Sequence, residues 1–336
     1  MDARSRVGVI FPGQGSQVVG MGVDVVANSA AARDLFERSA KVVGYDLLAL
    51  CREGPDERLR ETRYSQPAIF VTNCALAAAA NLSPVVSAGH SFGEYCSLVL
   101  AGSLAFEEAL ELVNARGIAM QQAAEMAAGG MSAILGLDSK KIEVAVAQAQ
   151  AEGTGRVSLA NFNSPTQIVI SGDLAAVRRA GELCLEAGAK RVVALNVSGA
   201  WHSELMQPAV PSFSPVVERA HVVMPRFPVI SNVDAQAYRD VAHIKQNLIK
   251  SLTAEVLWHA TAMNVIGIDG GIDLVVEFGA SPVLGPMLKR LEGVPESTSV
   301  SDNAGVTRLQ SRLGASKYGG RPSTSLGTGS ARGAAP

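Results

Sequence analysis

Cysteine is scarce. Four thiols, Cys51, Cys74, Cys96 and Cys184, are scattered along 336 residues with no C-x-x-C pair. That excludes a disulfide framework and the usual spacing of a zinc site, so no metal is expected. The thiols read as reduced core residues of a cytoplasmic protein. Long hydrophobic runs are missing too. The apolar stretch around 75–80 is too short to span a bilayer, and no signal-peptide h-region precedes the first strand. Neither sign of charge is in excess. Lys and Arg number 29, Asp and Glu 31, for a net charge of −2, which gives no electrostatic reason to expect nucleic acid or a membrane surface. What the chain does have is a hydrophobic content of 48%, ample for a core. The length fits one large domain or two small ones.

One stretch organises the rest, Val85-Val86-Ser87-Ala88-Gly89-His90-Ser91-Phe92-Gly93-Glu94-Tyr95. A short apolar run reads as a buried strand. It stops at Gly89-His90-Ser91-Phe92-Gly93, which fits the G-x-S-x-G nucleophile elbow, and a helical run follows over about 92–101. So tight a turn holds the serine in a strained conformation with Oγ exposed at the helix N-terminus. The glycines are needed because a Cβ there would collide with the neighbouring strand and helix. The N–H of Phe92 is poised at the helix start to stabilise an oxyanion. The pentapeptide alone is weak; its strand-before, helix-after context is what carries the reading.

Upstream, 7–11 reads as a buried strand running into Pro12-Gly13-Gln14-Gly15-Ser16-Gln17. Such a turn can present N–H groups to an anion, or be a tight turn and no more. It lacks the G-K-[ST] ending and the G-x-G-x-x-G pattern of phosphate-binding loops. Helices are expected over 30–43, 46–51 and 67–80, the last opening at Gln66-Pro67. Ser103 is expected to cap a long helix with Glu107 and Glu108 near its positive end. Phe106, Leu110, Val113, Gly117 and Met120 form one apolar stripe on it. Arg116 lies beside that stripe, either as a snorkelling edge residue or as a buried fork for a carboxylate.

Past Gly129-Gly130 the pattern changes. Strands over 131–136, 156–161, 167–171 and 191–196 alternate with helices over 139–150 and 174–187. The order βαββαβ is the ferredoxin-like arrangement. It is read as an insertion in a larger α/β domain. Ser198-Gly199-Ala200-Trp201-His202-Ser203 then returns the chain to that domain. His202 follows the crossover directly, where a cleft is expected, so it is the candidate base for the elbow; the alternative is a structural histidine. His221, His243 and His259 are weaker candidates. Strands over 229–232 and 273–278, and helices over 241–252 and 283–291, complete the chain. From about 293 the composition shifts to Gly, Ser, Ala, Arg and Pro, and 314–336 lacks apolar periodicity.

Several segments together resemble the malonyl-CoA:acyl carrier protein transacylases and the acyltransferase domains of polyketide synthases. They are Phe11-Pro12-Gly13-Gln14-Gly15-Ser16-Gln17, Gln66-Pro67-Ala68, the elbow through Tyr95, Ala115-Arg116-Gly117-Ile118-Ala119-Met120-Gln121, Asn161-Phe162-Asn163-Ser164-Pro165 and Ser198-Gly199-Ala200-Trp201-His202-Ser203. Order and spacing match over about 7–291. The resemblance implies an α/β fold, a hydrolase-like parallel-sheet domain with an inserted ferredoxin-like subdomain. The expected limits are 1–127 and 198–292 for the large domain and 128–197 for the insertion. Residues 293–336 are expected to form a disordered tail.

The resemblance also implies roles. Ser91 matches the nucleophile and His202 the general base. Gln14 and Phe92 match the main-chain donors of an oxyanion hole. Arg116 matches the arginine that binds the free carboxylate of a malonyl group, where a guanidinium fork makes two parallel charge-assisted bonds. Gln66 and Asn163 match polar residues of the substrate cleft. The family has no acidic third member of a triad; a main-chain carbonyl near Ile249-Lys250-Ser251-Leu252 orients the histidine. Phe92 replaces the commoner leucine and Trp201 the usual phenylalanine. Both are bulkier and are expected to disfavour an α-branched extender unit.

The implied reaction is ping-pong transfer of malonyl from malonyl-CoA, a substrate, to the phosphopantetheine thiol of an acyl carrier protein, with no cofactor. It would serve fatty acid or polyketide synthesis. An acyl hydrolase or thioesterase is the alternative, and a non-catalytic carrier-docking module a second. The pairs Lys190-Arg191 and Lys289-Arg290 are either docking charges for an acidic carrier protein or plain solvated surface.

Overall fold

A computed structural model describes residues 5–289, 291 and 293–315. Among them are nine strands: β1 (Val7–Phe11), β2 (Val86–Gly89), β3 (Gly129–Leu135), β4 (Val157–Ser164), β5 (Gln167–Asp173), β6 (Arg191–Ala194), β7 (Val229–Ile230), β8 (Leu274–Phe278) and β9 (Glu296–Val300). Those of the first sheet run in the order β7-β2-β1-β8-β9, every pair parallel. β1, β2 and β8 are buried at every residue, the mark of a parallel sheet covered on both faces. Side-chain alternation divides the covering. Val7, Val9 and Phe11 face one core, with the helices Ala30–Val43, Thr62–Ala80 and Phe106–Met126. Ile10, Val86 and Ala88 face another, with the helix Trp258–Ile266.

The second sheet, β4-β5-β3-β6, is antiparallel throughout. With the helices Ser139–Ala151 and Leu174–Glu186 it makes the ferredoxin-like βαββαβ unit. It has its own apolar cluster around Ile134, Ile142, Ile168 and Ile170. The architecture is therefore the one expected, a parallel α/β sheet with a ferredoxin-like antiparallel unit between β2 and β7. β4 is also tied to the loop before the helix Trp258–Ile266: Phe162 N–H donates to Val256 O at 2.9 Å and Val256 N–H to Ala160 O at 2.8 Å.

Several expectations are corrected. The helix expected from Gln66-Pro67 begins at Thr62, with Pro67 inside it. Tyr64 and Ser65 already donate to Glu61 O, so the turn is formed before the proline removes one donor. Ser103 is not an N-cap. Ala105 occupies that position, and Ser103 Oγ donates to Val223 O at 2.6 Å. The last helix over 283–291 is confined to Leu284–Leu288. Helical turns over Glu204–Ala209 and Val210–Arg219 escaped the reading, being interrupted by Pro208, Pro211 and Pro215. The tail expected from 293 is contradicted as far as residue 315. Glu296–Val300 pairs with β8, and the helix Asn303–Ala315 follows, burying Val306 and Leu309. The part expected to be disordered over 316–336 lies outside the described residues. Among the described residues no helix is long and apolar enough to cross a membrane.

Candidate active site

The turn between β2 and the helix Gly93–Leu100 puts Ser91 in the left-handed region, at φ 53°. Glycine makes this possible on both sides. A Cβ on Gly89 would stand 1.9 Å from the carbonyl carbon of Gly93, and one on Gly93 2.5 Å from Phe11 O. His202 has a positive φ as well, 58°. Strain of this kind persists only where the surroundings over-determine it, and it gathers at functional sites.

The two strained residues meet. Ser91 Oγ lies 2.8 Å from His202 Nε2. On the far side of the ring, Nδ1 is 2.9 Å from Ser251 O and 3.2 Å from Ala254 O. Carbonyl oxygens only accept, so Nδ1 carries the proton and Nε2 offers its lone pair to the serine. No carboxylate is needed to hold this tautomer. Burial, with Arg116 and His90 close by, lowers the His202 pKa to about 3, although the two carbonyls favour the charged ring. The imidazole is therefore neutral at rest.

Arg116 is fully buried. Its helix packs tightly on Thr62–Ala80 at Gly117, where a Cβ would meet Thr62 O at 3.0 Å. That close approach brings Gln66 opposite Arg116, and Gln66 Oε1 accepts from Nη1 at 2.9 Å. Nη2 donates to Ser91 Oγ at 3.2 Å. Among the described residues no carboxylate comes within salt-bridge distance, and Nε has no partner. Burial draws the Arg116 pKa down while Tyr95 and Glu94 push it back; a guanidinium stays charged regardless.

Ser91, His202, Arg116, Gln14, Gln66, Asn163 and Trp201 line one cavity of about 220 Å³. It opens between the two sheets. Met131, Ala133, Asn161 and Val169 of β3, β4 and β5 form one wall, and Val283, Leu284 and Met287 close another side. Gly13 packs on the elbow, where a Cβ would sit 2.7 Å from His90 O, so Gln14 is held beside Ser91. Neither the Gln14 nor the Phe92 main-chain N–H meets an acceptor among the described residues. Asn163 Oδ1 lies 3.0 Å from His90 Nε2, across the gap between the sheets.

One expectation fails. The Phe92 ring is buried in the core and does not line the cavity, because alternate positions of the elbow face opposite ways. The ring therefore presents no surface to the cavity. Trp201 does line the cavity, its indole packed over Gly199 and its Nε1 buried without an acceptor among the described residues. Of the other histidines, His243 is tied to Asp234 at 2.7 Å, His221 is exposed and His259 half-buried; none lines this cavity. Lys190, Arg191 and Lys289 are exposed; Arg290 lies outside the described residues.

Three residues of the site were not singled out from the sequence. Ala254 shares His202 through a main-chain oxygen, which any residue supplies. His90 was read only as part of the motif. Asn232 accepts from the Ser91 N–H at 2.6 Å across 141 positions, and no spacing rule marks such a partner. The Asn232 N–H donates in turn to Glu94 Oε2 at 3.0 Å, and Glu94 Oε1 accepts from the Tyr238 phenol. Burial pushes the Glu94 carboxyl up to about 7, opposed by those two donors.

Comparison with known proteins agrees with this geometry. Residues 9–311 match the family model described as the acyl transferase domain. The malonyl CoA-acyl carrier protein transacylase of Haemophilus influenzae is 39% identical over 313 residues, covering 92% of this chain and 99% of its own. The crystal structure of FabD from Acinetobacter baumannii superposes with a TM-score of 0.87 at 34% identity, over 93% of this chain and 99% of that one. A malonyl-transacylase, PlMCAT, solved in complex with the type II PKS acyl-carrier protein AntF, gives 0.87 at 36% identity, over 92% and 100%.

Proposed function

The chain belongs to the acyl transferase domain family, and on that premise we propose that it moves malonyl from malonyl-CoA to the phosphopantetheine thiol of an acyl carrier protein. The observation that carries the substrate class is Arg116. A buried guanidinium 3.2 Å from the nucleophile, with no carboxylate among the described residues to pair it, suits a substrate that brings its own. A plain esterase has no use for that charge. The names of the relatives, transacylases of malonyl-CoA and acyl carrier protein, support the same reading.

In the first half-reaction Arg116 binds the distal carboxylate of malonyl-CoA. Ser91 Oγ attacks the thioester carbon as its proton passes to His202 Nε2. The oxyanion is held by the N–H groups of Phe92 and Gln14. The C–S bond breaks, CoA leaves as the thiol with the proton from His202, and malonyl remains as an ester on Ser91. In the second half, His202 takes the proton of the carrier thiol. The sulfur attacks the ester, and Ser91 leaves with its proton restored. No metal or organic cofactor takes part in this scheme. Ser251 O and Ala254 O hold the ring through both halves, and Gln66 holds the guanidinium. The four free, buried thiols fit a cytoplasmic enzyme. The chemistry is the same for a fatty acid or a polyketide carrier protein, and the Phe92 ring, which faces the core, lends no weight to either.

Intact-mass spectrometry after brief exposure to malonyl-CoA tests the proposal. A malonyl ester on Ser91 that discharges onto a holo-carrier protein supports it. Steady release of free malonate would indicate a hydrolase instead, and the absence of any adduct a docking module.

A further inference from the structure

Resting on the serine-ester reading above, we propose that Asn232 is a positioning residue for Ser91, acting through the serine's main-chain N–H. Ser91 is held at φ 53°, a conformation that a non-glycine residue keeps only under external constraint. Its N–H donates to Asn232 Oδ1 at 2.6 Å. No helix or strand bond of the elbow occupies that donor, so the amide oxygen of Asn232 fixes the peptide plane from which the nucleophile projects.

Asn232 is itself immobilised from every side. It is 2% exposed and follows β7, which β2 places through the pairs Ser87↔Val229 and Ala88↔Ile230. Its main-chain N–H donates to Glu94 Oε2 at 3.0 Å, and its main-chain oxygen accepts from Leu257 N–H at 2.9 Å. Glu94 sits in the first turn of the helix after the elbow and is anchored by the Tyr238 phenol. One residue thus clamps the serine on one side of the elbow and the helix on the other. The clamp also occupies the Ser91 N–H, which leaves the oxyanion to Phe92 and Gln14. The other amide atom, Nδ2, is buried with no partner among the described residues. Only the oxygen is used, so an aspartate can replace the asparagine without losing a bond.

The test compares Asn232→Ala, Asn232→Leu and Asn232→Asp with the wild-type chain. Two reagents are used, malonyl-CoA with a holo-carrier protein and a fluorophosphonate that labels activated serines. The acceptor-less variants should lose about 10–100-fold in kcat and in the labelling rate, the scale of a misplaced reacting group. KM for malonyl-CoA should stay within about twofold, since Arg116 is untouched. Asn232→Asp should recover most of the rate. Leucine, which keeps the branch at Cγ but has no acceptor, gives the same contrast if the alanine variant does not fold. Labelling of Asn232→Leu at the wild-type rate, a loss confined to KM, or an aspartate variant as slow as leucine would overturn the proposal. A wild-type chain that reacts with the fluorophosphonate but not with malonyl-CoA would refute the malonyl reading alone, and the labelling rates would still decide the role of Asn232.

Discussion

His202, the proposed base, has surroundings that keep it unprotonated. Its pKa of about 3 lies below the ordinary value of about 6.5 for an unfolded chain, so between those values the unfolded state binds a proton that the folded state refuses. Stability from this residue is therefore full above about pH 6.5 and falls as pH drops towards 3. Catalysis follows the folded value. The pH profile of kcat/KM for serine acylation should carry no His202 limb near about 6.5; a limb there would mean that the ring is solvated and charged at rest. Ser91 stood out in the sequence because the elbow motif marks its place, whereas His202 and Arg116 each kept a structural alternative until the resemblance assigned them roles. Asn232 did not stand out, because what it does depends on a contact between segments far apart in sequence. For the Phe92 ring the motif gives the position but not the face it occupies.

At the scale of elements, the elbow depends on the absence of side chains. The first atom added at Gly89 would overlap the Gly93 carbonyl at 1.9 Å, and that neighbour is main chain, so nothing flexible can move aside. Gly89→Ala should cost more than the about 1–3 kcal/mol of ordinary overpacking. It should lower the urea midpoint and abolish acylation together, whereas an unchanged midpoint would show that the turn is looser than described. Strands and amphipathic helices were readable from their periodicity, and Ala30–Val43 falls where the pattern put it. Elements containing proline were not. Pro67 sits inside a helix where its own chemistry points to a start, and Pro211 and Pro215 hide the helix Val210–Arg219. Local propensity yielded there to tertiary packing.

At the scale of the whole molecule, the reactive groups come from separated segments brought to the gap between two sheets. The proposed nucleophile comes from the turn after β2 of the parallel sheet, the proposed base from the chain returning from the ferredoxin-like unit, and the cation from the helix Phe106–Met126. The C-terminal segment belongs to this assembly, although its composition suggested a tail. β9 extends the parallel sheet beside β8, and Val306 and Leu309 are 4% and 3% exposed, each worth about 1.5–3 kcal/mol of burial. Truncation after residue 293 should lower the thermal midpoint by several degrees. An unaltered melt would contradict the packing described for Asn303–Ala315.

In the proposed reaction the buried Arg116 guanidinium selects a diacid at the nucleophile. The most direct test is the ratio of kcat/KM for malonyl-CoA over acetyl-CoA, measured with the wild-type chain and with Arg116→Ala. The ratio should collapse by about 100-fold or more, as expected when one member of a buried charge pair is removed, with acetyl-CoA turnover kept or improved. An unchanged ratio would contradict the account.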